Sequence, residues 1–169
     1  MNNEFIKTEL SKNKTVFKAL FNVDAREIYL WKPADDKWCL LEIVCHLYDE
    51  EREDFRARLK HILETPDEPL PPIDPQGWVT SRNYIGQNYH ESVRKFLEER
   101  EESERYLQQL SKPNWENANH HPVLGSMTAK MLLANWLAHD YLHFRQITRL
   151  KYQYLQHISG ENLTYAGDW

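Results

Sequence analysis

The chain has 169 residues, with 21 Lys+Arg against 26 Asp+Glu for a net charge of −5, and 28% charged and 41% hydrophobic residues. These values describe a single domain over residues 1–169, large enough to bury a continuous core, and not a disordered segment. The acidic balance argues against a nucleic-acid module, and no apolar run approaches the roughly 18 residues that cross a bilayer.

The N-terminus, MNNEFIKTELSKNK, is polar and lacks the apolar core of a signal peptide, so a cytoplasmic location is the expectation. Ile6, Leu10, Phe17 and Leu20 recur at helical spacing and predict a first helix ending near Asn22. Val44, Tyr48, Phe55, Leu59 and Ile62 predict a second, unbroken helix over about 38–63. Cys39 and Cys45 both fall in it. Six helical residues span about 9 Å, beyond the roughly 7 Å Cα limit of a disulfide, so they are expected to be reduced packing residues.

The segment TPDEPLPPIDPQGW follows, with prolines at 66, 69, 71, 72 and 75. Proline removes an amide donor and clashes with a helix, so the segment is expected to be extended. A connection this long permits a crossover. Tyr89, Val93, Phe96, Arg100, Ser103, Leu107 and Leu110 mark a third helix, with Thr80 or Ser81 as its N-cap and Pro113 beyond its end. The charge run from Glu98 to Arg105 on it reads as a solvated face laced with i,i+4 pairs. Leu132, Trp136, His139, His143, Ile147, Leu150 and Tyr154 mark a fourth helix over about 128–157. No segment alternates with period 2. The expected fold is all-α, a four-helix bundle with a long proline-rich crossover between helices two and three.

His139 and His143 are four apart, so they project within about 40° of each other, one turn apart. That spacing lets two imidazoles reach one cation. Both also sit on the apolar stripe, where an uncompensated polar ring costs of order 1–3 kcal/mol. His46, in an otherwise apolar turn of helix two, is the candidate third ligand; hydrogen-bonded core histidines are the competing reading. A zincin would want HExxH, but the chain has His139-Asp140-Tyr141-Leu142-His143. The Glu-x-x-His pairs of di-iron bundles and the CxxCH of c-type haem are absent. A mononuclear site remains.

Trp38, the run from Glu42 to Leu47, Asp49-Glu50-Glu51 and Asp54-Phe55 form one part of a distinctive pattern. His121-Pro122-Val123-Leu124-Gly125-Ser126-Met127-Thr128, Trp136-Leu137-Ala138-His139-Asp140, His143, Arg145-Gln146-Ile147 and the ending Tyr165-Ala166-Gly167-Asp168-Trp169 complete it. Over essentially the whole chain, this pattern resembles the DinB/YfiT-like proteins, a bacterial family of four-helix-bundle metalloproteins. The resemblance implies a metal triad of His46, His139 and His143, one divalent ion (zinc or nickel foremost) and a homodimer. It also implies the activities of the family's characterised enzymes, which include thiol S-transferases that use low-molecular-weight thiols.

Three imidazoles on a divalent ion leave a position open for water or substrate. Two reactions on a small molecule follow: hydrolysis by activated water, or thiol transfer by an activated thiolate. The alternative is a non-catalytic metal-binding bundle that acts by association. Glu50, one turn after His46, is a candidate fourth ligand or general base; a surface carboxylate paired with Arg or Lys is the competing reading. Gln146 is a candidate substrate contact or packing amide, and Trp136 a candidate pocket wall or core residue. Asp140 is expected to pair elsewhere, and His120 and His121 are expected in a loop. No residue is singled out as catalytic.

Overall fold

The computed structural model describes residues 3–121 and 125–167; Pro122-Val123-Leu124 and Asp168-Trp169 of the motifs above lie outside them. Four long rods dominate. The first is α1 (Asn3–Leu20), and a short α2 (Arg26–Tyr29) follows it. The second rod consists of α3 (Leu40–Asp49), a π-helical segment (Glu50–Phe55) and α4 (Arg56–Glu64), so the helix expected to be unbroken is interrupted.

The proline segment is likewise not extended throughout. Within it lies α5 (Pro75–Ser81), opened by Asp74, whose Oδ1 accepts from Gly77 N at 3.0 Å. Pro75 is tolerated because a first-turn amide has no helical partner to lose. Thr80 and Ser81 therefore belong to α5. The third rod, α6 (Tyr89–Gln109), is capped instead by Asn88, whose Oδ1 accepts from Glu91 N at 2.9 Å.

A two-stranded hairpin, β1 (Ala118–His121) and β2 (Gly125–Thr128), pairs antiparallel with Ala118 opposite Thr128 and His121 opposite Gly125. The sequence reading expected no strand, and a loop around His120 and His121. Four residues are too few to register as alternation. The fourth rod, α7 (Ala129–Ser159), starts where Thr128 Oγ1 accepts from Met131 N at 3.0 Å and stops at left-handed Gly160, φ 68°. Among the described residues, no helix is long and apolar enough to cross a membrane.

The first rod packs between α6 and α7, and the second rod packs between the same two. Leu10 O meets Arg100 and Phe21 O meets Tyr89, so α1 and α6 run antiparallel. Asn13 meets Asp140 and Phe17 meets Phe144, so α1 and α7 run parallel. Cys45 meets Ser92 and Arg56 meets Ser103, so the second rod runs parallel to α6. His46 meets His143 and Phe55 meets Trp136, so it runs antiparallel to α7. Residues 65–88 join two parallel neighbours and must return along the bundle.

Apolar packing forms two clusters. One gathers Phe17, Phe21, Val44, Tyr89, Phe96 and Ile147; the other gathers Leu10, Phe55, Leu59, Leu107, Leu133 and Trp136. Along every rod, the residues between the two clusters are polar and buried: Asn13, Glu50 and Glu51, Arg100 and Ser103, Asp140. This mid-bundle layer holds the functional candidates.

Candidate metal centre

The second rod contributes His46 and the fourth contributes His139 and His143. Each offers a ring nitrogen within 4.8 Å of the others. His143 Nε2 lies 3.0 Å from His139 Nε2, and the His46 ring centroid lies 5.1 Å from that of His143 and 5.6 Å from that of His139. Nitrogens ligating one tetrahedral ion at about 2.1 Å stand about 3.4 Å apart, so the His139–His143 pair needs only a shift of a few tenths of an ångström to share a cation, and His46 lies within reach of it. Nδ1 of His46 and Nδ1 of His143 are buried without a hydrogen-bond partner. On His143 it is Nε2 that faces His139, so ligation through Nε2 would leave its Nδ1 on the far side of the ring.

Electrostatics favour the ligating form of all three rings. Burial pushes His46 down to about 3, with the neighbouring His143 adding to the effect. Burial likewise pushes His139 down to about 2, helped by His143, His46 and the Arg100 cation. His143 falls to about 4, again through burial, partly offset by Gln146 and Asp140. All three are neutral imidazoles at neutral pH, and neutral imidazole is what binds a metal.

The rings open onto a cleft of about 570 Å³ whose wall also includes Trp38, Glu50, Pro75, Gln76 and Gln146. Glu50 is not a surface carboxylate. It is 4% exposed, and its carboxyl is pushed up to about 8 by burial and by the charge and hydrogen bond of Asp54. The π-helical segment accounts for this placement. Its wider turn buries Glu50, Glu51 and Phe55 together, and π segments frequently mark functional sites. Gln146 lines the cleft as a half-buried amide.

Trp136 does not wall the cleft. It is buried in the apolar cluster, stacks on Phe55 at 5.7 Å, and donates Nε1–H to Glu51 Oε2 at 3.1 Å. Asp140 pairs elsewhere: its two oxygens take both Arg100 Nη groups at 2.7 Å, and Asn13 Nδ2 donates to Oδ2 at 2.9 Å. Arg100 also lies 2.9 Å from Glu51 Oε2. Sequence reasoning missed this buried charge cluster, reading the Glu98–Arg105 run as solvated. The available signal was Arg100 and Ser103 on the apolar stripe of α6. Cys39 and Cys45 are free and buried, and desolvation pushes both thiols up to about 11.

Fold and site together define a four-helix bundle with a three-histidine cluster, two rings buried and His139 half-buried, at the floor of an open cleft. The model of the DinB superfamily matches residues 9–147, and the chain belongs to that superfamily. A search of the solved structures finds YfiT from Bacillus subtilis, a probable metal-dependent hydrolase with an unusual four-helix bundle topology. It is 18% identical, with a TM-score of 0.78 over 95% of this chain and 89% of that one. At that identity the likeness establishes the fold. No curated protein matches the chain.

Proposed function

We propose that the chain is a metal-dependent hydrolase of a small molecule, with His46, His139 and His143 holding one divalent ion, zinc or nickel. The observation that carries this reading is three neutral imidazoles converging within 4.8 Å at the floor of an open cleft. The printed description of YfiT as a probable metal-dependent hydrolase points the same way. A divalent ion on such a site supplies Lewis acidity and draws the pKa of water toward neutrality.

The chain's own residues supply position and proton handling. Glu50 faces the cleft, and its carboxyl near neutrality suits exchange of a proton at Oε with water or a leaving group. Asp54, hydrogen-bonded to Glu50, passes that proton onward. The Gln146 amide orients a polar group of the substrate. Thiol transfer is the finer alternative on the same site. It needs an external low-molecular-weight thiol, since both protein thiols are buried and protonated.

Elemental analysis of the purified, untagged protein beside a His46→Ala/His139→Ala double variant tests the reading. About one divalent ion per chain, lost in the double variant, is expected. No ion, even after incubation with zinc or nickel, would make the histidines core residues and remove the mechanism. His143→Ala separates catalysis from support: a catalytic ion predicts lost activity with a modest drop in melting temperature, and a purely structural ion predicts a steep drop.

A further inference from the structure

A second cleft, of about 630 Å³, lies alongside the histidine cleft. The second rod, α7 and the proline segment wall both, and the hairpin adds His120, His121 and Met127 to the second. On the second rod, His46 and Glu50 face the first, and Asp54 and Arg58 face the second, each step four residues. On α7, His139 and His143 face the first, and Met131 and Asn135 the second. The proline segment covers both, through Pro75 and Gln76 over the first and residues 69–73 over the second. Glu50 and Asp54 hydrogen-bond to each other where the clefts meet.

The second cleft is built to stay open. Arg58 Nη2 donates to Pro71 O at 3.2 Å, and Asn119 Nδ2 donates to Pro66 O at 2.8 Å and Glu68 O at 2.6 Å. These bonds pin the proline cover from two sides. Proline residues also have little freedom to collapse inward, so the cavity is preorganised. Its lining is largely apolar, with Leu70, Ile73, Met127, Met131 and Leu132 among the walls. Its polar lining is Asn135, the imidazoles of His120 and His121, and two formal charges that cancel each other, Arg58 Nε lying 2.9 Å from Asp54 Oδ1. An apolar majority, with its one ion pair internally neutralised, leaves no net formal charge to attract a charged guest. It rewards an uncharged hydrocarbon group by the area removed from water.

Resting on the hydrolase reading above, we propose that the second cleft holds the acyl or alkyl group of the substrate, an uncharged chain beside the bond to be cut. Met131 is one turn before Asn135 and two before His139, about 12 Å along α7. A chain seated against Met131 therefore reaches a polar head group at the histidines. The substrate class is then an acyl amide or ester with an apolar chain, and not a short, fully polar metabolite. Selectivity by chain length follows from the size of the cavity.

The chain contains three methionines. Two of them, Met127 and Met131, line this cleft, so methyl-labelled methionine reports its occupancy directly. Butanamide, hexanamide and octanamide are titrated into the wild type and into the His46→Ala/His139→Ala variant. Saturable shifts of both methyl signals are expected, with affinity rising about fifteenfold for each pair of added methylenes. 6-Aminohexanamide, with an ammonium at the chain end, is expected to bind at least tenfold more weakly than hexanamide.

Met131 is 39% exposed, so Met131→Glu is tolerated by the core and puts a charge at the chain site. It should abolish the gain with chain length, read at Met127, whereas Met131→Leu should keep it. Unshifted methyl signals, affinity independent of chain length, or an ammonium analogue that binds equally well would each overturn the proposal. Loss of the gain with chain length in the double-histidine variant would overturn it too, because the chain site is built without those rings. Failure of the metal reading is recorded separately, as an absence of metal from the wild type.

Discussion

Arg100→Met removes the cation from the mid-bundle layer while keeping an apolar stem of similar reach. Arg100 is 1% exposed; its Nη groups meet the two oxygens of Asp140 at 2.7 Å, Glu51 at 2.9 Å and Leu10 O at 3.3 Å. Without it, two carboxylates remain buried side by side with only neutral donors, Asn13, Trp136 and Ser103, bonded to them. Breaking a buried pair by removing one partner costs about 3–5 kcal/mol, a large share of the roughly 5–15 kcal/mol that holds a domain folded. With a urea m-value of about 2 kcal/mol/M, the unfolding midpoint should fall by about 2 M at constant m.

The deficit should also depend on pH in a definite direction. Burial already raises the Glu51 carboxyl, opposed chiefly by Arg100, so the variant raises it further. A folded carboxyl that holds its proton more tightly than the unfolded one makes stability fall as pH rises. The variant should therefore lose more at pH 8 than at pH 5, where protonation relieves the repulsion. A loss below about 1 kcal/mol at pH 8, or a deficit that grows as pH falls, would refute the reading of this layer as a desolvated ion cluster.

Glu50→Gln should flatten part of the pH dependence of the metal-stripped protein. With Glu50 held up at about 8, the wild type loses stability as pH rises from 5 to 9, so the variant should gain on it at pH 9 and not at pH 5. Urea unfolding after chelation measures both differences; equal differences would show that Glu50 titrates as an ordinary surface carboxylate. Leu59→Ala should cost about 3 kcal/mol, because Leu59 is fully buried in the cluster of Phe55 and Trp136. Calorimetry should show a melting temperature lower by about 9 °C, and a loss under about 1 kcal/mol would mean that the cluster closes over the cavity.

Much of this molecule was legible without coordinates. The four rods follow from apolar residues repeating with the helical period, and α7 begins directly after its cap Thr128, within a residue of the start read from the sequence. The histidine spacing His139–His143 is local information: four residues on one helix fix the relation of two rings wherever that helix goes. The errors share one cause. Thr80 and Ser81 look as good an N-cap as Asn88, and only packing decides which turn continues into a rod. Pro75 reads as a helix breaker unless the first turn of α5 is known to begin there. The hairpin is too short to show a period.

The candidate site divides along the same line. Residue type and spacing nominate His139 and His143, and the apolar turn around it nominates His46, a set the family pattern also implies; Glu50 and Gln146 carry competing readings. Only tertiary structure brought the second rod antiparallel to α7, so that His46 meets the other two rings. The π-helical segment decided that Glu50 is buried in the cleft wall. The pairing of α1, α6 and α7 decided that Trp136 and Asp140 belong to the buried layer. Sequence determines what a stretch of chain prefers within one or two turns. Which faces meet is set by desolvation and packing between residues far apart along the chain, as Asn13 and Asp140 are, and no local pattern encodes that distance.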